Sequence, residues 1–145
     1  MGCSDRYQNE EKQWYKYILK EKKINFRPKK SYRSSYDFLI RSKYIANIDS
    51  TLGYEFLARN KKVIFFSRKI NSSKKINDLW NFGWPSVIQK KGFFFTNELN
   101  MKEVERLINN ISGSSTKNWI SKINPFKQKL MNYNPGNKKL LKVIK

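Results

Sequence analysis

The stretch Lys43-Tyr-Ile-Ala-Asn-Ile-Asp-Ser-Thr-Leu-Gly-Tyr-Glu-Phe-Leu-Ala-Arg-Asn-Lys-Lys-Val-Ile-Phe-Phe-Ser67 decides the fold. Its first six residues, Lys43 to Ile48, have the length and apolar content of a buried strand. Asp49, Ser50 and Thr51 then supply side chains suited to capping a helix start. Leu52 to Arg59 continues as a helix with Leu52, Phe56 and Leu57 at helical spacing, and Asn60 ends it. Lys62 to Ser67 is a second strand, apolar on both faces at Val63, Ile64, Phe65 and Phe66. Strand, helix and strand with short connections and fully apolar strands predict a parallel βαβ unit with a right-handed crossover.

On the N-terminal side, Asn9 to Lys22 is polar with Trp14, Tyr15, Tyr17 and Ile18 near helical spacing, which predicts an amphipathic helix. Ile24 to Arg27 is a short strand candidate, closed by Pro28 and a basic loop to Arg33, and Ser34 or Ser35 caps a short helix to Ile40. On the C-terminal side, Arg68 to Asp78 is polar, and Leu79 to Phe95 is aromatic and irregular around Gly83, Pro85 and Gly92. Helix returns at Asn100 to Asn110, with Met101, Val104, Leu107 and Ile108 on one face, then around Ser115 to Ile123, and again after Pro135-Gly136. The expectation is one α/β domain over residues 1–145, with a disordered start at 1–8 and a C-terminal tail or helix at 124–145. A chain of 145 residues is long enough for a real core. No apolar run approaches the roughly 18–20 residues of a membrane span, and the first residues lack the apolar segment of a signal peptide, so a cytoplasmic protein is expected.

Composition excludes more than it selects. There is no histidine, which rules out Ser-His-Asp, Cys-His and His-ligated metal chemistry within the chain. The single cysteine, Cys3, forms no intrachain disulfide or cysteine metal cluster, and no local base activates it. Thirty-one Lys+Arg against eleven Asp+Glu give a formal charge of +20. Such a balance favours anionic partners, namely nucleic acid, acidic membrane or phosphorylated ligand. It also accompanies a Lys-, Asn- and Ile-rich composition, and doublets such as Lys29-Lys30, Lys61-Lys62, Lys74-Lys75 and Lys90-Lys91 are scattered as on a solvated surface.

The turn Ile48-Asp49-Ser50-Thr51-Leu52-Gly53-Tyr54-Glu55 lies where a strand ends and a helix begins, at the carboxyl edge of a parallel sheet, where ligands of open α/β sheets bind. First-turn N–H groups, the helix dipole and the Ser50 and Thr51 hydroxyls converge there and suit a phosphate. Gly53 permits close backbone approach, and Glu55, one turn in, is placed to accept hydrogen bonds from sugar hydroxyls. The same residues also read as an ordinary capped helix worth about 1 kcal/mol. Phe82-Gly-Trp84-Pro85 and Phe93-Phe-Phe95 carry two readings as well: rings that line a cleft, or a hydrophobic lid on the sheet.

Arg33-Ser-Ser-Tyr-Asp-Phe-Leu39, Ile48-Asp-Ser-Thr-Leu-Gly-Tyr-Glu-Phe-Leu-Ala-Arg59 with Lys61-Lys-Val63, Phe82-Gly-Trp-Pro85, Gly92-Phe-Phe-Phe95 and Asn134-Pro-Gly-Asn137 occur in that order. Together they resemble the C-terminal part of bacterial surface-carbohydrate (O-antigen or capsule) biosynthesis proteins, themselves similar to two-Rossmann-domain (GT-B) glycosyltransferases. The resemblance runs from about Asn25 to Lys145. It implies a Rossmann-like parallel sheet with flanking helices and the donor half of such an enzyme, which binds a nucleotide sugar as substrate with no further cofactor and no metal. It assigns Ser50, Thr51 and Gly53 to the phosphate-facing turn and Glu55 to the ribose. Arg33, Ser35, Asp49 and Trp84 are further cleft candidates, and the catalytic residue is unassigned. The resemblance also implies an N-terminal acceptor domain, so that the chain pairs with a partner or with itself and by itself transfers no sugar. The alternatives from other classes are a small basic nucleic-acid-binding protein, for which interleaved aromatics speak but no recognisable binding motif does, and a non-catalytic remnant that pairs with a partner chain.

Overall fold

The computed structural model describes residues 8–19, 31, 33–48, 50–66, 91–98, 100–131 and 133–143. The chain divides into two compact units, Met1–Arg41 and Ser42–Lys145. In the first, Gln8–Leu19 forms α1 and Ser34–Arg41 forms α2. Tyr17 of α1 is 81% exposed, so it is not part of the packed stripe expected there. Both Ser34 and Ser35 lie inside α2, and the Ser34 Oγ accepts the Ser31 N–H at 2.8 Å. The strand expected at Ile24 to Arg27 lies outside the described residues, as does the segment 67–90 with its Phe82-Gly-Trp-Pro85 motif.

The second unit opens with β1 (Tyr44–Ile48), α3 (Thr51–Ala58) and β2 (Lys62–Phe66). β1 and β2 pair in parallel, from Tyr44 opposite Lys62 to Ile48 opposite Phe66. The βαβ unit read from the sequence is therefore present. A third parallel strand, β3 (Phe95–Thr96), adds to the other side of β2, with Phe95 opposite Phe65 and Thr96 opposite Phe66. The strand order is β1-β2-β3, and with its flanking helices this is an α/β, Rossmann-like arrangement.

Position in the sheet explains the burial of each strand. β2 is central, and Val63, Ile64 and Phe65 are all buried, as its continuous apolar run requires. β1 stands at an edge of the described sheet and alternates instead: Ile45 and Asn47 are buried, while Tyr44, Ala46 and Ile48 are exposed. This corrects the expectation of a strand buried throughout, since Ile48 is 69% exposed. The ammonium groups of Lys43 and Lys62 lie over the Tyr44 ring, 5.2 and 5.6 Å from its centroid.

α3 ends as its sequence predicts. Asn60 takes a left-handed conformation (φ 64°), its N–H bonds the Leu57 carbonyl at 2.9 Å and the Lys61 N–H bonds the Phe56 carbonyl at 3.0 Å. This is a Schellman stop with asparagine in the usual place of glycine. Ahead of β3 the chain turns at Gly92, whose N–H donates to the Phe95 carbonyl at 2.8 Å. A Cβ at that position would run into the Phe95 ring.

After β3 come α4 (Met101–Gly113) and α5 (Thr116–Leu130), both capped by side chains: Asn100 Oδ1 accepts the Glu103 N–H at 2.9 Å and Ser115 Oγ the Asn118 N–H at 3.2 Å. α5 runs through Pro125 and is longer than the expected Ser115 to Ile123. A 3-10 turn at Pro135–Asn137 leads into α6 (Lys138–Val143). The inward face of α4 differs from the one expected. Glu103, Leu107 and Ile111 are buried, whereas Met101 is 71% and Ile108 48% exposed. The stripe is rotated because Glu103 is drawn inward by polar partners described below.

An aromatic cluster joins sheet and helices. Tyr54 of α3 packs on Phe65 (centroids 4.9 Å), Phe65 on Phe94, and Phe94 edge-on to Trp119 and Phe126 of α5. Phe94 and Phe95 are fully buried, so these two rings belong to the core and are not presented to a ligand. Trp119 Nε1 donates to the Lys61 carbonyl at 3.1 Å, and Lys62 Nζ to the Ser114 carbonyl at 2.5 Å. This Lys61-Lys62 pair, at the amino end of β2, thus anchors the corner between α4 and α5. Among the described residues no helix is long and apolar enough to cross a membrane.

Candidate functional site

Parallel strands put every carboxyl end at one edge of the sheet, and helices that follow strands begin there. α3 starts two residues beyond β1, and α4 starts beyond β3. Their first turns stand at the ends of strands two places apart, which corresponds to about 10 Å across the sheet. Ser50, Thr51, Gly53 and Glu55 all fall on the start of α3. Ser50 is its N-cap residue, in extended conformation (φ −109°, ψ 136°), yet its side chain makes no cap hydrogen bond. The capped-helix account of Ser50 therefore does not describe this turn, in contrast to Asn100 and Ser115. The Gly53 N–H bonds the Ser50 carbonyl at 3.2 Å. Thr51 is exposed, Ser50 and Glu55 are half-buried and Gly53 is buried.

Gly53 shows a packing role that the sequence did not disclose. A Cβ there would stand 2.5 Å from Asn47 Nδ2 and 2.6 Å from Asn47 Oδ1. The close approach that requires glycine is thus to a side chain of β1. Asn47 is 5% exposed and its Nδ2 is buried without a hydrogen-bond partner among the described residues.

At the other helix start, Glu103 is 7% exposed and held by Arg106. Arg106 Nε donates to both carboxylate oxygens at 3.2 Å and Nη2 to Oε2 at 2.7 Å, while Nη1 reaches the Gly92 carbonyl at 2.9 Å. Lys91 Nζ lies 3.2 Å from Glu98 and 3.8 Å from Glu103. The hydrogen bonds from Arg106, first of all, hold the Glu103 carboxyl below its ordinary pKa; burial opposes this, and the Arg106 charge, Thr96 and Lys91 add to it. The cluster ties α4 to the Gly92 turn and is a fastening of the fold.

Of the other candidates, Arg33 immediately precedes α2 and Ser35 lies in its first turn, within the unit Met1–Arg41. Asp49 and Trp84 lie outside the described residues. Sequence reasoning missed Asn47. The available signal was a lone amide inside Tyr-Ile-Ala-Asn-Ile, since asparagine is depleted in strands.

A parallel sheet with flanking helices, and helix starts gathered at the strands' carboxyl ends, defines an α/β protein of Rossmann-like arrangement. Comparison with protein families matches residues 1–145 to a family described as "putative O-antigen biosynthesis protein", and the chain belongs to that family. Neither curated proteins nor solved structures give a match.

Proposed function

We propose that the chain is the nucleotide-sugar-binding half of a glycosyltransferase-like protein that acts in the cytoplasm in O-antigen or capsule synthesis. The observation that carries this reading is the start of α3: a helix N-terminus at the carboxyl end of β1, with a Ser50 hydroxyl that its own helix does not use. The dipole and first-turn N–H groups favour a diphosphate there, and Ser50 and Thr51 add hydroxyl donors. Glu55 follows one turn in, about 6 Å along the helix axis from Thr51, and accepts from ribose hydroxyls. In sugar transfer such a turn stabilises the departing nucleoside diphosphate electrostatically. The acceptor side is supplied by a partner domain, a partner chain or a second copy.

The test is a titration of the 15N-labelled chain with UDP, GDP, CDP and CMP. At least one of them should shift the amide resonances of Ser50 to Glu55. Silence from all four at millimolar concentration overturns the reading. In the same assay Glu55→Gln should weaken nucleoside-diphosphate binding by about 1–3 kcal/mol, as for a hydrogen bond to a charged group. A Glu55 that does not touch the nucleotide would leave binding unchanged, and because it lies beyond the first turn of α3 its effect on stability through the dipole should be small.

A further inference from the structure

We propose that the carboxamide of Asn47 is part of the ligand site: its Nδ2 donates a hydrogen bond to a phosphate oxygen of the nucleoside diphosphate held at the start of α3. The inference rests on the nucleotide reading above and deepens it. Asn47 occupies the next-to-last position of β1, on the face it shares with Ile45 and, across the ladder, with Phe65. An apolar residue would fill that place in an ordinary core. Instead it holds an amide that is 95% buried, whose Nδ2 meets no acceptor among the described residues. A buried donor without an acceptor is unfavourable, and an acceptor atom on a bound ligand would satisfy it.

The surroundings say which kind of acceptor. The amide lies against Gly53, the third residue of α3, and no larger residue than glycine fits there without displacing it. A buried glycine in a helix is itself unfavourable relative to alanine. Two unfavourable choices, Asn47 and Gly53, therefore meet at one point beneath the first turn of α3. That turn presents N–H groups and the positive end of the helix dipole, and the Ser50 side chain makes no cap hydrogen bond to them. A donor joined to such an environment fits an anionic oxygen. The terminal torsion of asparagine is broad, so the amide can turn toward an arriving oxygen while its backbone keeps its place in the ladder.

Asn47→Leu tests this directly, because leucine keeps the branched shape and removes the donor. The apo variant should melt at the same temperature as wild type or higher, since an unmet polar group has gone. Its affinity for the nucleoside diphosphate that wild type binds, and for inorganic pyrophosphate, should fall about tenfold or more, as when a hydrogen bond to a charged group is lost. Asn47→Ala, which likewise carries no side-chain donor, provides the same comparison should leucine prevent folding. In the wild-type chain the Asn47 side-chain 15N resonances should move on addition of pyrophosphate. Unchanged affinity in both variants overturns the proposal and leaves the α3 reading standing, and so does a lowered melting temperature with unchanged affinity. Loss of nucleotide affinity with pyrophosphate affinity retained also overturns it, because the amide would then read the base or sugar. A wild-type chain silent toward every nucleotide and pyrophosphate overturns both readings together.

Discussion

Glu103 receives three hydrogen bonds from Arg106 in a nearly closed setting, and this makes one residue answerable for part of the acid sensitivity of the fold. Its pKa is lower in the folded chain than its ordinary value of 4.5. The folded state therefore binds fewer protons than the unfolded one, and the contribution is fully present above the unfolded pKa. It is lost as pH falls below 4.5 and through the depressed folded value. Urea unfolding between neutral pH and about pH 3 should show Glu103→Gln less stable than wild type by about 1–3 kcal/mol at neutrality, with the gap closing in acid. A constant gap would show that the charge is immaterial. Gly53 makes a second residue-scale prediction. Gly53→Ala should lose about 1–3 kcal/mol through crowding against Asn47, offset by up to about 1 kcal/mol of helix propensity. Adding Asn47→Ala should restore most of the loss, which urea midpoints of the two single variants and the double variant would reveal.

At the scale of elements, the Schellman stop of α3 depends on Asn60 standing at φ 64°. Asn60→Ala should cost up to about 1 kcal/mol, because both residues carry a Cβ but only asparagine's short polar side chain hydrogen-bonds locally and eases the left-handed region. Asn60→Gly should cost far less even though the bond from Lys127 Nζ to Asn60 Oδ1 is lost. Thermal melts of the two variants would separate backbone strain from that surface contact. This stop belongs to the part of the fold that local sequence announces. Val63 to Phe66 is apolar throughout because β2 is central, and Leu52, Phe56 and Leu57 recur at helical spacing because α3 packs on one side of it. β3 was not legible, since two residues at the end of an aromatic run become a strand only by pairing with Phe65 and Phe66, some thirty positions earlier. The face of α4 was misread for a related reason: Arg106, Thr96 and Lys91 make Glu103 an inward residue, and apolar periodicity cannot register a charge satisfied from another element. The placement of Ser50 to Glu55 at a strand end was legible from pattern. Asn47 was not, because its meeting with Gly53 across the strand-to-helix turn is a tertiary fact.

For the whole molecule, a formal charge of +20 on 145 residues sets a long-range field that favours anions before any contact forms. Part of it is already engaged internally, as at Lys62 with the Ser114 carbonyl and Lys91 with Glu98. Under the nucleotide reading, raising NaCl from about 50 to about 500 mM should weaken nucleoside-diphosphate binding severalfold by shortening the screening length, while any affinity for the uncharged nucleoside stays level. Equal salt sensitivity of the two would indicate that the charge plays no part at the site. The bond from Trp119 to the Lys61 carbonyl spans 58 residues, and that separation matters during synthesis. A ribosome adding about 5–20 residues per second delivers Lys61 and β2 roughly 3–12 s before the Trp119 that bonds back to Lys61. Throughout that interval the Lys61 carbonyl has no Trp119 donor, and Phe94, once made, waits for the Trp119 and Phe126 rings that pack on it. The early βαβ unit is thus an apolar client for chaperones, and a translation stall within the segment 67–115 would release a sticky fragment. Completion of α5 is the moment at which the newborn chain becomes safe from its neighbours.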